Sequence, residues 1–101
     1  MSGKLELLSV KPSAKADKKY DAKFKTPQGR EKTVSFGAKG MDDYTKTHDK
    51  DQRSRYLERH GRGKESWSKP DTAGALSRWL LWGESTSMLA NLSRFKRRFN
   101  L

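Results

Sequence analysis

The sequence predicts an α+β domain, a small N-terminal antiparallel β-meander of about three strands followed by about three α-helices packed on it. Three observations carry that expectation. Up to Phe36, apolar side chains recur at every second position in short runs. From Asp49 onward they recur at three and four, the helical spacing. Between the second and third alternating runs lies Thr26-Pro27-Gln28-Gly29-Arg30, a Pro-x-Gly turn of the kind that joins hairpin strands. Strands first and helices after is the order of an α+β chain. Residues 1–101 read as one small domain, with a basic meander over 1–40 and a helical part over 41–101.

The first strand is expected at Lys4–Ser9, where Leu5 and Leu7 alternate with Lys4, Glu6 and Leu8. Lys11 to Lys19, with Pro12 and four lysines, suits a solvated loop. The second and third strands follow at Tyr20–Lys25 and Lys32–Phe36; Tyr20, Ala22 and Phe24 share one face, Val34 and Phe36 another.

Gly37, Gly40 and the pair Asp42-Asp43 mark a change of structure, and a helix is expected from about Asp49 to His60, with Thr47 or His48 before it and Gly61 after it. Asp49 with Arg53 and Asp51 with Arg55 stand four apart in the favourable order. The central apolar stretch, Asp71 to Gly83, is expected as a buried helix capped by Asp71 or Thr72, with Pro70 in a first-turn position and Gly83 as its left-handed stop. On a helical wheel Ala75, Leu76, Trp79, Leu80 and Trp82 form its inner arc, and Leu81 falls on the opposite flank. Trp67, between a basic loop and this helix, is expected to fold back onto the core. Glu84-Ser85-Thr86-Ser87 offers caps for a last helix, whose Met88, Leu92, Phe95 and Phe99 form a narrow stripe while Arg94, Arg97 and Arg98 point away and Lys96 lies near the edge.

Charge is the strongest functional signal. The chain carries 23 Lys/Arg against 12 Asp/Glu, a formal net charge of +11, with a sequence pI near 10.1 and a mean hydropathy of -1.08. An anionic partner is expected: nucleic acid, DNA in preference to RNA, or an acidic protein surface. The first 40 residues hold ten Lys/Arg and four Asp/Glu, so Lys18, Lys19, Lys23 and Lys25 are expected to ring the outer sheet face with their neighbours. Arg59, Arg62 and Lys64 form a second candidate contact, following Arg55 along one helix face. The third is Arg94-Phe95-Lys96-Arg97-Arg98-Phe99, where Arg94, Lys96, Arg97 and Arg98 would grip phosphates while the phenylalanines anchor the helix below them. Against each stands a plainer role: Asp51 and Glu58 can pair with Arg55 and Arg62, and cations in a last turn complement the helix dipole.

Other chemistries are not expected. With no Cys there is no disulfide, thiolate zinc site or cysteine nucleophile. His48 and His60 stand at opposite ends of one predicted helix, about 18 Å apart at the ~1.5 Å rise per residue, too far to share a metal ion. No nucleophile, base and oxyanion arrangement can be assembled, so no catalytic residue, enzyme activity, metal, cofactor or small-molecule substrate is assigned. No apolar run approaches the ~20 residues of a spanning helix, and Met1-Ser2-Gly3-Lys4 leads into no secretory h-region.

A set of residues in the second half carries a resemblance: Asp43-Tyr44-Thr45, Asp49, Arg53, Tyr56-Leu57, Arg59-His60, Glu65, Trp67, Thr72-Ala73-Gly74, Leu76-Ser77, Leu81-Trp82-Gly83 and Phe95 to Asn100. It resembles a family of small uncharacterised basic proteins of nucleocytoplasmic large DNA viruses, the giant viruses. The likeness covers about residues 34 to 101, and Tyr-Leu-x-Arg-His and Thr-Ala-Gly-x-Leu-Ser are its most specific segments. The resemblance implies a virion protein, present in the host cytoplasm or nucleus during assembly. It also implies one of two roles, binding of viral genomic DNA or service as a minor capsid or cement protein held by acidic capsid neighbours. It transfers no catalytic residue.

Overall fold

The computed structural model describes residues 4–60 and 67–101, and the α+β order holds in it. Strands β1 (Glu6–Pro12), β2 (Lys18–Lys25) and β3 (Glu31–Ala38) form one antiparallel sheet in sequence order. Helices α1 (Tyr44–Thr47), α2 (Lys50–His60), α3 (Ala73–Leu76) and α4 (Met88–Phe99) follow, with α3 running directly into a π-helical turn over Ser77–Leu81. Leu7, Phe24 and Phe36 from the sheet share one core with Tyr44, Tyr56, Leu76, Leu80 and Phe95 from the helices.

The strands run longer than alternation alone predicted. Lys11 pairs with Asp21, Pro12 with Tyr20 and Lys18 with Ala38, so part of the expected Lys11–Lys19 loop is ladder. A lysine on the solvent face of a strand stays hydrated, and Pro12 ends an edge strand, where a missing N–H is harmless. Register shifts between Leu7 and Ser9, and this irregularity leaves Leu7 buried and Leu8 44 % exposed. The Pro-x-Gly turn closes as expected: Thr26 N donates to Arg30 O at 2.7 Å, and Gly29 takes φ +86°. Opposite one another on the core side, Tyr20 and Phe36 stack with centroids 5.7 Å apart.

Three local expectations are corrected before the central helix is reached. Tyr44–Thr47 forms a short helix that periodicity could not show in four residues, closed by His48 at φ +58°. α2 begins at Lys50, and Asp49, expected as its first residue, caps it instead: its Oδ1 accepts from the N–H of Asp51 and of Gln52. Arg53 does not use Asp49, because its Nε donates to the carbonyls of Trp82 and Gly83.

The central stretch departs most from expectation. Thr72 is the cap, its Oγ1 accepting from Ala75 N at 3.2 Å, while Asp71 takes the Lys32 ammonium at 3.0 Å and Pro70 precedes the helix. The chain then widens into the π turn, which changes the phase of the wheel. Leu80 and Leu81 are both buried, and Trp79 becomes the half-buried member. Leu81 packs so close to β3 that a Cβ on Gly37 would lie 2.9 Å from its Cδ1.

Gly83 is not a left-handed stop, since the positive-φ glycines among the described residues are Gly29, Gly37 and Gly40. It is glycine for want of room. A Cβ there would lie 2.5 Å from Trp79 O and 2.6 Å from Asn91 Cγ. Asn91, 1 % exposed on α4, fills that side, its Nδ2 donating to Leu80 O and Ser85 O while its Oδ1 accepts from Ser85 N. The amide thus ties α4 to the π turn and the linker with every strong bond satisfied.

Ser87 caps α4, accepting from Ala90 N, and Asn100 at φ +55° ends it, with Leu101 N reaching Lys96 O at 2.8 Å. Phe95 is buried at 1 %, and Met88, Leu92 and Phe99 pack beside the core. The expected stripe holds.

Candidate anionic-partner interface

The last two turns of α4 place Arg94, Lys96, Arg97 and Arg98 on the solvent side of a helix that Phe95 anchors. Arg94, Arg97 and Arg98 line a cleft of about 450 Å³ whose inner wall is Trp79, Phe95, Asn91 and Gly83. Arg98 does not simply point away, as the wheel had it. Its guanidinium carbon lies over the Trp79 ring, 4.0 Å from the centroid, a cation–π contact that favours this placement of the fork. Arg94 approaches Glu84 at 3.8 Å with both side chains largely exposed, a contact that contributes little stability.

Behind this helix stands a second set of cations absent from the sequence-based candidates. Arg78, on the π turn, lies 4.2 Å from the Trp79 centroid and 5.1 Å from that of Trp67. Its Nη1 donates to Trp82 O, the carbonyl that Arg53 also uses. Burial, and then the neighbouring Arg53 charge, hold the Arg78 pKa below the ordinary arginine value. The signal that could have found it was its place among three tryptophans; periodicity alone marked it only as a polar residue on a helix flank. Trp67 folds back as expected, its carbonyl accepting from Trp79 Nε1 at 2.9 Å.

The sheet lysines separate into two groups. Lys19 is corrected as a contact residue: its ammonium pairs with the Asp43 carboxylate, which is 4 % exposed and also accepts from the Thr45 hydroxyl. A lysine that neutralises a buried acid is structural. Lys23 and Lys25 remain on the outer face, Lys23 within 3.4 Å of Glu31, and Lys18 sits half-buried at the sheet end. Asp21 interrupts this basic face. Hydrogen bonds from the Ser35 and Ser13 hydroxyls, each 2.7 Å, hold its carboxyl below the usual carboxylate range.

Arg59 is exposed on α2 and lines a larger cleft, about 560 Å³, between α2, the π turn and the end of the sheet. Arg55 is exposed too, and among the described residues it forms no ion pair with Asp51. Arg62 and Lys64, and the expected stop at Gly61, lie outside the described residues. His60 stacks on Tyr56 at 4.3 Å, and Tyr56 on Trp82 at 4.3 Å with planes 7° apart. No helix among the described residues is long and apolar enough to cross a membrane.

A family model described as a family of unknown function (DUF5754) matches residues 8–60, just over half of the chain. The matched segment runs from Leu8 in β1 to the end of α2. No curated protein and no solved structure matches the chain.

Proposed function

The chain belongs to that family of unknown function (DUF5754), and from this premise we propose that it is a non-enzymatic basic protein that binds viral genomic DNA through its Lys/Arg surface. The resemblance supplies the setting, the virion and the host cytoplasm or nucleus during assembly. One observation carries the chemistry. Arg94, Lys96, Arg97 and Arg98 stand on one rigid, core-anchored helix end, and the sole carboxylate within ion-pair range of them among the described residues is the exposed Glu84. Arginine forks held in place, one of them against a tryptophan face, suit phosphate oxygens. Phosphate contacts position a protein without reading sequence, so binding to duplexes of any sequence is expected.

The test is a salt titration of binding to a labelled random-sequence duplex from about 50 to 300 mM, with an expected log-log slope steeper than about -4. The triple variant R94A/R97A/R98A is expected to bind more weakly and to flatten that slope by about 3, one counterion per lost contact. Negligible binding of the unmodified protein at the lowest salt overturns the proposal. That outcome favours the second reading, a minor capsid or cement protein held by acidic neighbours, which draws its support from Leu8, Met41 and Leu89, exposed by 44 %, 63 % and 79 %.

A further inference from the structure

The larger cleft has a different chemistry from the arginine helix. Its floor is aromatic: Phe36, Tyr56 and Trp82, 0 %, 7 % and 8 % exposed, lie beneath it, and His60, the half-exposed member of the ring stack on Tyr56, lines it as well. The wall toward the sheet end includes Gly40, where a Cβ would meet nothing within 4 Å, so bare peptide faces open space there. Three cations line the cleft, Lys18, Lys19 and Arg59; Lys19 is paired with Asp43, and Lys18 and Arg59 are not ion-paired among the described residues. Of the two acids beside them, Asp43 is already neutralised by Lys19, and Asp42 lies 3.7 Å from Lys46. Gln52 and Ser77 contribute amide and hydroxyl groups to the same space.

A volume of about 560 Å³ falls in the range of small-ligand pockets, roughly 300 to 1,000 Å³. Aromatic rings on one side, an amide and a hydroxyl for polar edges, and free cations at the rim suit a planar, hydrogen-bonding ring joined to an anionic group. We infer that this cleft binds a single unpaired nucleotide, with the base over the aromatic floor and the phosphate at Arg59 and Lys18. This rests on the nucleic-acid reading above and sharpens it: a base held in a duplex cannot enter, so the protein prefers single-stranded nucleic acid. A free nucleoside monophosphate offers the same chemistry as an unpaired residue in a strand, and the test separates them.

The experiment measures affinity of the full chain for a labelled 20-nucleotide single strand, its duplex and a nucleoside monophosphate, with inorganic phosphate as a control, all at one salt concentration. The strand is expected to bind about fivefold or more tightly than the duplex, the gain from one stacked base. Ala73→Phe, an exposed position on the cleft wall, is expected to bring the ratio near one with duplex affinity unchanged, and Arg59→Ala to lower the ratio. Circular dichroism melts establish that both variants fold. Equal affinity for strand and duplex overturns the inference and leaves the DNA-binding proposal standing, as does a strand preference that survives both variants. Binding of the monophosphate alone, abolished by Ala73→Phe and not mimicked by phosphate, supports the cleft with a free nucleotide as its ligand and overturns the DNA-binding proposal. No binding of any of the probes overturns both.

Discussion

Arg53 and Arg78 donate to one carbonyl oxygen, that of Trp82, from two different helical segments, Arg53 Nε at 3.2 Å and Arg78 Nη1 at 3.1 Å. Arg53 Nε also reaches Gly83 O at 2.8 Å. Two guanidinium groups thus occupy the negative end of the central helix, where free carbonyls and the helix dipole favour cations. They do the work that a left-handed glycine does elsewhere, and so Gly83 is free to be an ordinary close-packed residue. The arrangement has a cost: the like charges repel, and Arg78 Nε is buried without an acceptor among the described residues.

Arg53→Ala should therefore destabilise the protein by about 2 kcal/mol, the worth of a charged hydrogen bond to buried carbonyls. Arg78→Ala should cost less, about 1 kcal/mol, since it removes the bond to Trp82 O and the contact with the Trp79 ring but also an unpartnered buried polar atom. The double variant should depart from additivity, because each arginine covers the shared carbonyl when the other is lost. Urea denaturation of the four proteins measures this; strict additivity would show that the shared carbonyl does not couple them.

Gly83→Ala should destabilise by about 3 kcal/mol, the upper range for overpacking, because the colliding atoms are a backbone oxygen and the buried Asn91 amide. Gly29→Asn, at φ +86° with open space around it, should cost under about 1 kcal/mol. Were Gly83 a left-handed cap, Asn would be tolerated there and Ala would not. Thermal melts of G83A, G83N and G29N decide, with G83N at least as damaging as G83A.

The lowered pKa of Asp21 makes a contribution to stability that depends on pH. Its folded pKa lies below the unfolded value, so the contribution is complete above the unfolded pKa and is lost as pH falls through the folded one. Ser35→Ala removes the largest cause and should raise the Asp21 midpoint in a carboxyl NMR titration. The melting-temperature gap between S35A and the parent should narrow as the pH drops below about 4. A gap that stays constant into acid would assign the Ser35 bond no preference for the charged carboxylate.

Glu84 lines the arginine cleft, and among the described residues it is the one acid that does so. Glu84→Gln should raise duplex affinity about two- to fivefold at low salt and leave it unchanged at high salt, where exposed charges are screened. Stability should move by less than about 0.5 kcal/mol. Unchanged low-salt affinity would place the bound duplex away from this end of α4.

The sheet was legible because its evidence is local. Alternation of Tyr20, Ala22 and Phe24 against Asp21, Lys23 and Lys25, and a turn whose Gly29 needs positive φ, are properties of consecutive residues. The α4 stripe and its Ser87 cap were legible for the same reason, and the cations opposite the stripe followed from it. Strand ends were less so, since Lys11 and Lys18 are extended by the partner strand's hydrogen bonds and by nothing in their own chemistry. Lys19 was misplaced because an acid 24 residues away, buried and in need of a counter-charge, decides where its ammonium goes.

What the sequence determined by itself is the class of the fold, the order of its elements and the excess of positive charge, since periodicity, turn chemistry and net charge are sums over neighbours along the chain. Tertiary structure alone decided how the central helix widens and ends, which cations are free and which are consumed. Leu81 turns inward because β3 presents Gly37 to it, Arg53 leaves Asp49 because the Trp82 and Gly83 carbonyls need a donor, and Arg98 lies on Trp79 because the π turn half-exposes that ring. Each outcome is set by a partner distant in sequence, and for Arg53 and Lys19 it is a buried polar group, the Trp82 and Gly83 carbonyls and the Asp43 carboxylate, that decides it.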